Sequence, residues 1–114
     1  MSPEKLRDTV VGALEDLKGR EILALDVSRS TSVTDYMVIA SGTSNRHVNA
    51  LVDSVVESTK ARGVSSLGIE GREAMEWVLL DLGDVVVHVM QKDARAFYDL
   101  ERLWSEVPAA EASV

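Results

Sequence analysis

WVLLDLGDVVVHVM, residues 77–90, is the stretch that decides the fold. Two apolar runs flank Gly83-Asp84, and a two-residue loop that begins with glycine suits the primed turns that match the twist of paired strands. The pattern therefore predicts a β-hairpin whose arms pair residue by residue outward from this loop. In this register Trp77 lies opposite Met90.

Alternation of side chains along the two arms sorts the hairpin onto two faces. One face is aliphatic and is predicted to be core: Val78, Leu80, Leu82, Val85, Val87 and Val89. The other face mixes apolar and polar groups: Trp77, Leu79, Asp81, Val86, His88 and Met90. Large apolar anchors beside polar groups are typical of protein interfaces. A helix that covers this face, with a hydrogen-bonded His88 beneath it, explains the same residues, and periodicity leaves both interpretations open.

The composition limits the possible classes of protein. With 114 residues, 46% of them hydrophobic and 27% charged, the chain is expected to form one domain over residues 1–107, followed by a flexible tail over 108–114. No run approaches the roughly 20 apolar residues of a membrane helix, and the first residues lack the apolar region of a signal peptide. We therefore expect a cytoplasmic protein with no membrane partner.

The charge and the rare residue types narrow the possible partners. Cysteine is absent, and no spacing of carboxylates around His47 or His88 proposes a metal site, so neither a metal nor a cofactor is expected. The formal net charge is −7 and there is no cluster of Lys and Arg, which disfavours direct nucleic-acid binding. An acidic domain is better suited to a basic protein partner.

The N-terminal part of the chain reads as a helix followed by a strand. Ser2 is the expected N-cap, Pro3 occupies the first helical position, and Gly19 is expected to end the helix as its C-cap. A short strand is predicted over Glu21–Val27. The apolar stripe of the helix consists of Leu6, Val10, Ala13, Leu14 and Leu17.

A second strand and a second helix follow. Asp35–Ala40 is apolar almost throughout, as expected of a central strand that is buried on both faces. A helix is predicted from about Asn45 to Arg62, ended by Gly63. Its apolar face consists of Val48, Leu51, Val52, Val55 and Val56.

The loop between this strand and this helix has two explanations. Ser41-Gly42-Thr43-Ser44 could hold an anion, because unpaired N–H groups and the helix dipole point to such a position. Ser44 or Thr43 as N-cap explains the same residues, and no phosphate-loop or dinucleotide pattern is present. The structural explanation is favoured.

The remaining elements complete a mixed sheet. A short strand is predicted over Ser65–Glu70, and Asp93 is a possible N-cap for a last helix through Glu106. The apolar stripe of that helix consists of Ala96, Phe97, Leu100, Leu103 and Trp104. The order predicts an α/β fold with about five strands and about three helices, including a candidate βαβ crossover between the second and third strands. Three helices leave one sheet face incompletely covered, and a partner is expected there.

Carboxylates at strand ends raise an enzymatic alternative. Asp26, Asp35, Asp81 and Asp84, near a Gly-Thr-Ser loop, would suit metal-dependent nucleotidyl transfer. However, no Asp-x-Asp or Asp-x-Glu pair projects from one strand face, and Asp is an ordinary turn residue. His88 has no hydroxyl nucleophile near it in the pairing. No catalytic residue is therefore assigned.

Three segments carry a resemblance to a known family: DYMVIASGTSNRHVNALVDSV, EGREAMEWVLLDLGDVVVHVM and ARAFYDLERLW. They resemble the ribosomal silencing factor family, also called Iojap-like proteins, over about Leu25 to Trp104. The characteristic pattern W-V-L-x-D-x-G-D-V-V-V-H is matched by Trp77, Asp81, Gly83, Asp84 and His88.

The resemblance implies a domain related to the nucleotidyltransferase core but without its catalytic carboxylates. It also implies binding to the large ribosomal subunit through protein fourteen of that subunit, at the face where the small subunit docks. Subunit joining would then be blocked and translation lowered when nutrients are scarce, with no reaction required. The expected partner-binding residues are Trp77, Leu79, Asp81, Leu82, Asp84, His88 and Met90. A nucleotide-binding or transfer activity and a homodimer through the same hairpin face remain as alternatives.

Overall fold

Five strands form one mixed sheet in the computed structural model, which describes residues 1–100 and 102. The elements are α1 (Pro3–Asp16), β1 (Arg20–Asp26), β2 (Tyr36–Gly42), α2 (Asn45–Ala61), β3 (Gly68–Glu70), β4 (Trp77–Asp81), β5 (Val85–Gln91) and α3 (Lys92–Tyr98). The strand order is β1-β2-β5-β4-β3. β2 and β5 are parallel, whereas the other neighbouring pairs are antiparallel. The predicted α/β class with a mixed sheet is confirmed.

Strands β4 and β5 form the predicted hairpin in the predicted register. Trp77 pairs with Met90 and Leu79 pairs with His88. The loop closes through the Leu82 N–H, which donates to the Val85 carbonyl at 3.0 Å. The six residues of the aliphatic face are all buried: Val78, Leu80, Leu82, Val85, Val87 and Val89.

Both long helices pack on this aliphatic face. Buried side chains of α1 and α2 join those of β2, β4 and β5 in one hydrophobic cluster, which includes Leu14, Leu51 and Leu80. In β2, every residue from Met37 to Gly42 is buried, as expected of a central strand. α1 and α2 therefore cover this side of the sheet.

The β2-α2-β3 connection differs from a simple βαβ unit. β3 runs parallel to β2, as a crossover requires, but it lies at the far edge of the sheet. The β4–β5 hairpin occupies the space between them, because β5 pairs with β2 and β4 pairs with β3.

The ends of α1 follow the capping signals only in part. The Ser2 hydroxyl caps the N-terminus. At the C-terminus the left-handed position is Lys18, with φ of 60°, and the Gly19 N–H donates to the Leu14 carbonyl. The prediction of Gly19 as the capping residue is therefore one position late. Leu17, predicted to lie on the apolar stripe, is 40% exposed because it follows the last helical turn.

The ends of α2 agree with the sequence. The Ser44 hydroxyl accepts a hydrogen bond from the His47 backbone N–H at 3.1 Å and so acts as N-cap. Gly63 has φ of 85° directly after the helix, where a residue with a side chain would be strained. The helix therefore begins and ends at the predicted positions to within one residue.

Helix α3 corrects three expectations. It begins at Lys92 with Gln91 as N-cap, so Asp93 lies in the first turn instead of capping it. It ends at Tyr98, because Asp99 adopts φ of 51°, and it does not run unbroken to residue 106. Its buried residues are Ala94 and Arg95, whereas the predicted stripe residues Ala96 and Phe97 are exposed. The helix follows β5 without a loop, and this sets its rotation. Leu103, Trp104 and the predicted tail over 108–114 lie outside the described residues.

Gly71 offers a test of the turn that precedes the hairpin. Its φ is 86°, and a Cβ there would overlap the Trp77 carbonyl oxygen. We expect Gly71→Ala to lower the free energy of unfolding by about 2 kcal/mol, measured by urea denaturation. Gly12→Ala is the control, because Gly12 lies within α1 and a Cβ there meets nothing within 4 Å. Gly12→Ala should raise the free energy of unfolding by about 1 kcal/mol. Equal stability of the two variants would contradict the turn geometry.

Candidate partner-binding surface

The mixed face of the hairpin is covered at one end and open at the other. Near the carboxyl end of β5, α3 lies over the sheet, and Ile39, Met90 and Ala94 form a second buried cluster. Toward the hairpin loop, Leu79 and Val86 stay half-buried. The helix cover left open by periodicity therefore describes one end of this face, while the other end stays accessible.

Trp77 stands at the boundary between these two parts. Its indole N–H donates to Nδ1 of His88 at 2.9 Å, and the two ring centroids are 5.8 Å apart. On its other side, the Tyr98 ring centroid lies 4.6 Å away. Tyr98 in turn meets Phe97 edge to face, with centroids 5.0 Å apart. We call Trp77, Phe97 and Tyr98 the aromatic surface, with His88 buried beneath it.

The rings of α3 are far more exposed than is usual for aromatic side chains. Phe97 is 80% exposed and Tyr98 is 46% exposed, while Trp77 is half-buried. Contiguous exposed apolar groups mark interaction sites, and Trp and Tyr are the commonest anchors in protein interfaces. The sequence placed Phe97 in the core and assigned Tyr98 no role. The position of the helix start could have revealed their exposure. A helix that begins at Lys92, directly after β5, places both rings on its outward side.

The seven predicted partner-binding residues differ in their accessibility. Trp77, Leu79 and Asp81 are half-buried and Asp84 is exposed. Leu82, His88 and Met90 are buried, with exposures of 5%, 5% and 0%. Leu82 belongs to the cluster beneath α1 and α2, and Met90 belongs to the cluster beneath α3. The hairpin loop therefore does not stand clear of the core, and Leu82 and Met90 offer no surface to a partner in this conformation.

The two hairpin aspartates have different surroundings. Asp81 accepts a hydrogen bond from the Gly83 N–H at 2.8 Å and so stabilises the loop. The Asp84 carbonyl accepts from the N–H groups of Asp35 and Tyr36, both at 3.0 Å, while its side chain is exposed. Within residues 1–100 and 102, no group of three or more His, Cys, Asp and Glu could hold a metal ion.

His88 acts on the surface through Trp77. Burial lowers the pKa of His88 to about 4, because removing water disfavours the imidazolium form. An indole N–H can only donate, so Nδ1 must be unprotonated and the proton of the neutral ring lies on Nε2. A neutral His88 therefore fixes the orientation of the Trp77 ring without itself reaching a partner.

The fold and the aromatic surface define a small mixed α/β protein with an exposed site suited to a protein partner. The family model described as "Ribosomal silencing factor during starvation" matches residues 1–114, so the chain belongs to the ribosomal silencing factor family. This confirms the resemblance seen in the sequence. No helix of the described part of the chain has the length and apolar character needed to cross a membrane.

Individual relatives agree with the family assignment. The chain is 48% identical over 104 residues to the ribosomal silencing factor of Chromobacterium violaceum, covering 91% of this chain and 85% of that one. A crystal structure of a protein from the same organism covers 100% of both chains, with a TM-score of 0.90 and 44% identity. A mouse protein named "Mitochondrial assembly of ribosomal large subunit protein 1" is 38% identical over 101 residues, covering 86% of this chain and 44% of that one.

The buried His88 predicts acid sensitivity. Its pKa is 6.5 in the unfolded chain and about 4 in the folded protein. Between pH 6.5 and pH 4 the unfolded chain binds more protons than the folded protein. The free energy of unfolding therefore falls as the pH is lowered through this range, and His88 accounts for about 3 kcal/mol of that loss. Chemical denaturation across this pH range measures the loss.

His88→Asn is the matched variant for this measurement, because its side-chain oxygen can accept from the Trp77 indole but does not titrate. The other titrating groups are shared, so the difference between wild type and variant isolates His88. Identical pH slopes for the two proteins would contradict the prediction.

Proposed function

We propose that this protein silences ribosomes by binding the large ribosomal subunit and preventing the small subunit from joining. The contact is protein fourteen of the large subunit, at the face between the subunits. The effect is lower translation when nutrients are scarce. Binding alone is sufficient, with no chemical reaction, and we place the protein in the cytoplasm.

The family and one relative support a ribosomal partner. The description of the matching family names a factor that silences ribosomes during starvation. The mouse relative is named for assembly of the mitochondrial large ribosomal subunit. The first name concerns repression and the second concerns the large subunit, which together favour a protein that acts on that subunit.

The observation that carries the proposal is the aromatic surface. Phe97 and Tyr98 are exposed on a helix, and the Trp77 ring is held by its hydrogen bond to His88. Rings that are ordered before binding lose little conformational entropy on docking, and this favours affinity. Asp81 and Asp84 lie on the same hairpin and can meet basic groups of a ribosomal protein. The net charge of −7 favours the approach of such a partner.

The size of the domain supports steric exclusion as the mechanism. Its shortest principal dimension is 21 Å. Two packed surfaces touch when their atoms come within about 4 Å. A domain of this thickness that is bound at the face between the subunits would keep the small subunit from its contacts.

The direct test is sedimentation with purified large subunits, followed by addition of small subunits. Wild type should sediment with the large subunit and reduce the joined particle. Trp77→Ala should keep the fold but weaken binding by about 2 kcal/mol, which is roughly 30-fold. Phe97→Ala should weaken binding in the same direction without affecting the fold, because Phe97 is 80% exposed.

Leu17→Ala is the control for loss of an apolar surface group. Leu17 is 40% exposed and follows α1, on the opposite side of the sheet from the aromatic surface. The Leu17→Ala variant should bind the large subunit as wild type does. Co-sedimentation of Trp77→Ala at wild-type level would refute the assigned surface, whereas a wild-type protein that stays off the large subunit would refute the function.

A homodimer is the second candidate for this surface, because exposed aromatic rings also suit a second copy of the chain. If the aromatic surface self-associates, sedimentation velocity at high micromolar concentration should show a dimer that Phe97→Ala weakens. Self-association would then compete with ribosome binding. A protein that remains monomeric under these conditions would rule out this candidate.

A further inference from the structure

We propose that a crevice at the carboxyl ends of β2 and β5 binds a small phosphorylated molecule of mononucleotide size. This site goes beyond ribosome binding and uses none of the aromatic surface. The crevice has a volume of about 500 Å³ and lies at the end of the sheet away from the hairpin loop. Its lining residues are Arg20, Glu21, Ser41, Gly42, Thr43 and Lys92.

The topology of the sheet creates this crevice. β2 and β5 are parallel neighbours. The chain leaves β2 for α2, on the side of the larger cluster, and leaves β5 for α3, on the opposite side. Parallel neighbours whose connections leave to opposite sides enclose a crevice at their carboxyl ends, which is where open α/β sheets bind ligands.

The charge around the crevice is opposite to that of the whole protein. Arg20 and Lys92 line it, in a chain with a net charge of −7. Arg95 lies behind the wall with 6% exposure, and its Nη1 donates to the Ser41 hydroxyl at 2.9 Å. Cationic groups in a concave site concentrate their field on an incoming anion. Guanidinium and ammonium groups are the usual protein donors to phosphate oxygens.

Backbone strain occurs at the wall of the same crevice. Glu21 has φ of 48°, a left-handed conformation that is costly for a residue with a side chain. The pairing of β1 with β2 shifts register between Arg20 and Leu23. Consecutive residues of a regular strand point to opposite faces, yet Arg20 and Glu21 both line the crevice. Such bulges commonly redirect side chains beside binding sites.

These groups fit a sugar phosphate better than a bare anion. The phosphate would lie between Arg20 and Lys92, and the Glu21 carboxylate would accept hydrogen bonds from sugar hydroxyls. A volume of about 500 Å³ is within the usual range for small-molecule sites. No bond is made or broken, so the site requires no catalytic group.

The test is titration of the full chain with AMP and with inorganic phosphate at constant ionic strength, followed by amide NMR. AMP should produce saturable shifts at the Gly42 and Thr43 amides. Arg20→Gln and Lys92→Gln should each weaken AMP binding by roughly tenfold, the loss expected for one hydrogen bond to a charged group. Lys92→Arg keeps the cation and should keep binding.

Lys60→Gln is the charge-matched control, because Lys60 is an exposed cation in the last turn of α2, away from the crevice. It should bind AMP as wild type does. The absence of saturable shifts at millimolar AMP, or AMP binding that survives in both Gln variants at Arg20 and Lys92, would overturn the site. Inorganic phosphate that binds as tightly as AMP would overturn the mononucleotide-sized ligand.

Discussion

The register of the β4–β5 hairpin is the constraint on which the rest of the structure depends. Side chains alternate with a period of two, so a slip of one residue would exchange the two faces. Asp81 and His88 would then face α1 and α2, and the valines would face outward. The bond from the Gly83 N–H to Asp81 and the left-handed φ of Gly83 hold the loop and therefore the register. The helix-packed face and the face that carries Trp77 and His88 follow from it.

The aromatic surface combines two elements that are distant in sequence. Trp77 comes from the hairpin and Tyr98 from α3, and their rings pack with centroids 4.6 Å apart. His88 links this pair to the core, because it accepts the indole hydrogen bond while buried. A charged imidazole could not play this part, since its Nδ1 would carry a proton. The order of the surface therefore depends on the same burial that keeps His88 neutral.

Helix α3 joins the two candidate sites. Lys92 at its start lines the crevice, and Tyr98 at its end contacts Trp77. Seven helical residues span about 10 Å. Between them Arg95 anchors the helix to Ser41 of β2. A displacement of α3 would thus alter both the crevice and the aromatic surface.

The sequence by itself determined the hairpin, its register, the aliphatic face and the bounds of α2, because alternation, helical spacing and capping are local signals. Family membership was also readable from the hairpin motif. Tertiary structure decided which residues of the mixed face are accessible, since α3 folds back over the end of β5 and covers Met90. It also decided the outward turn of Phe97 and Tyr98, and the left-handed Glu21 at the crevice wall. These features depend on how α3 packs back on the sheet and on how β1 pairs with β2, which residue periodicity does not encode.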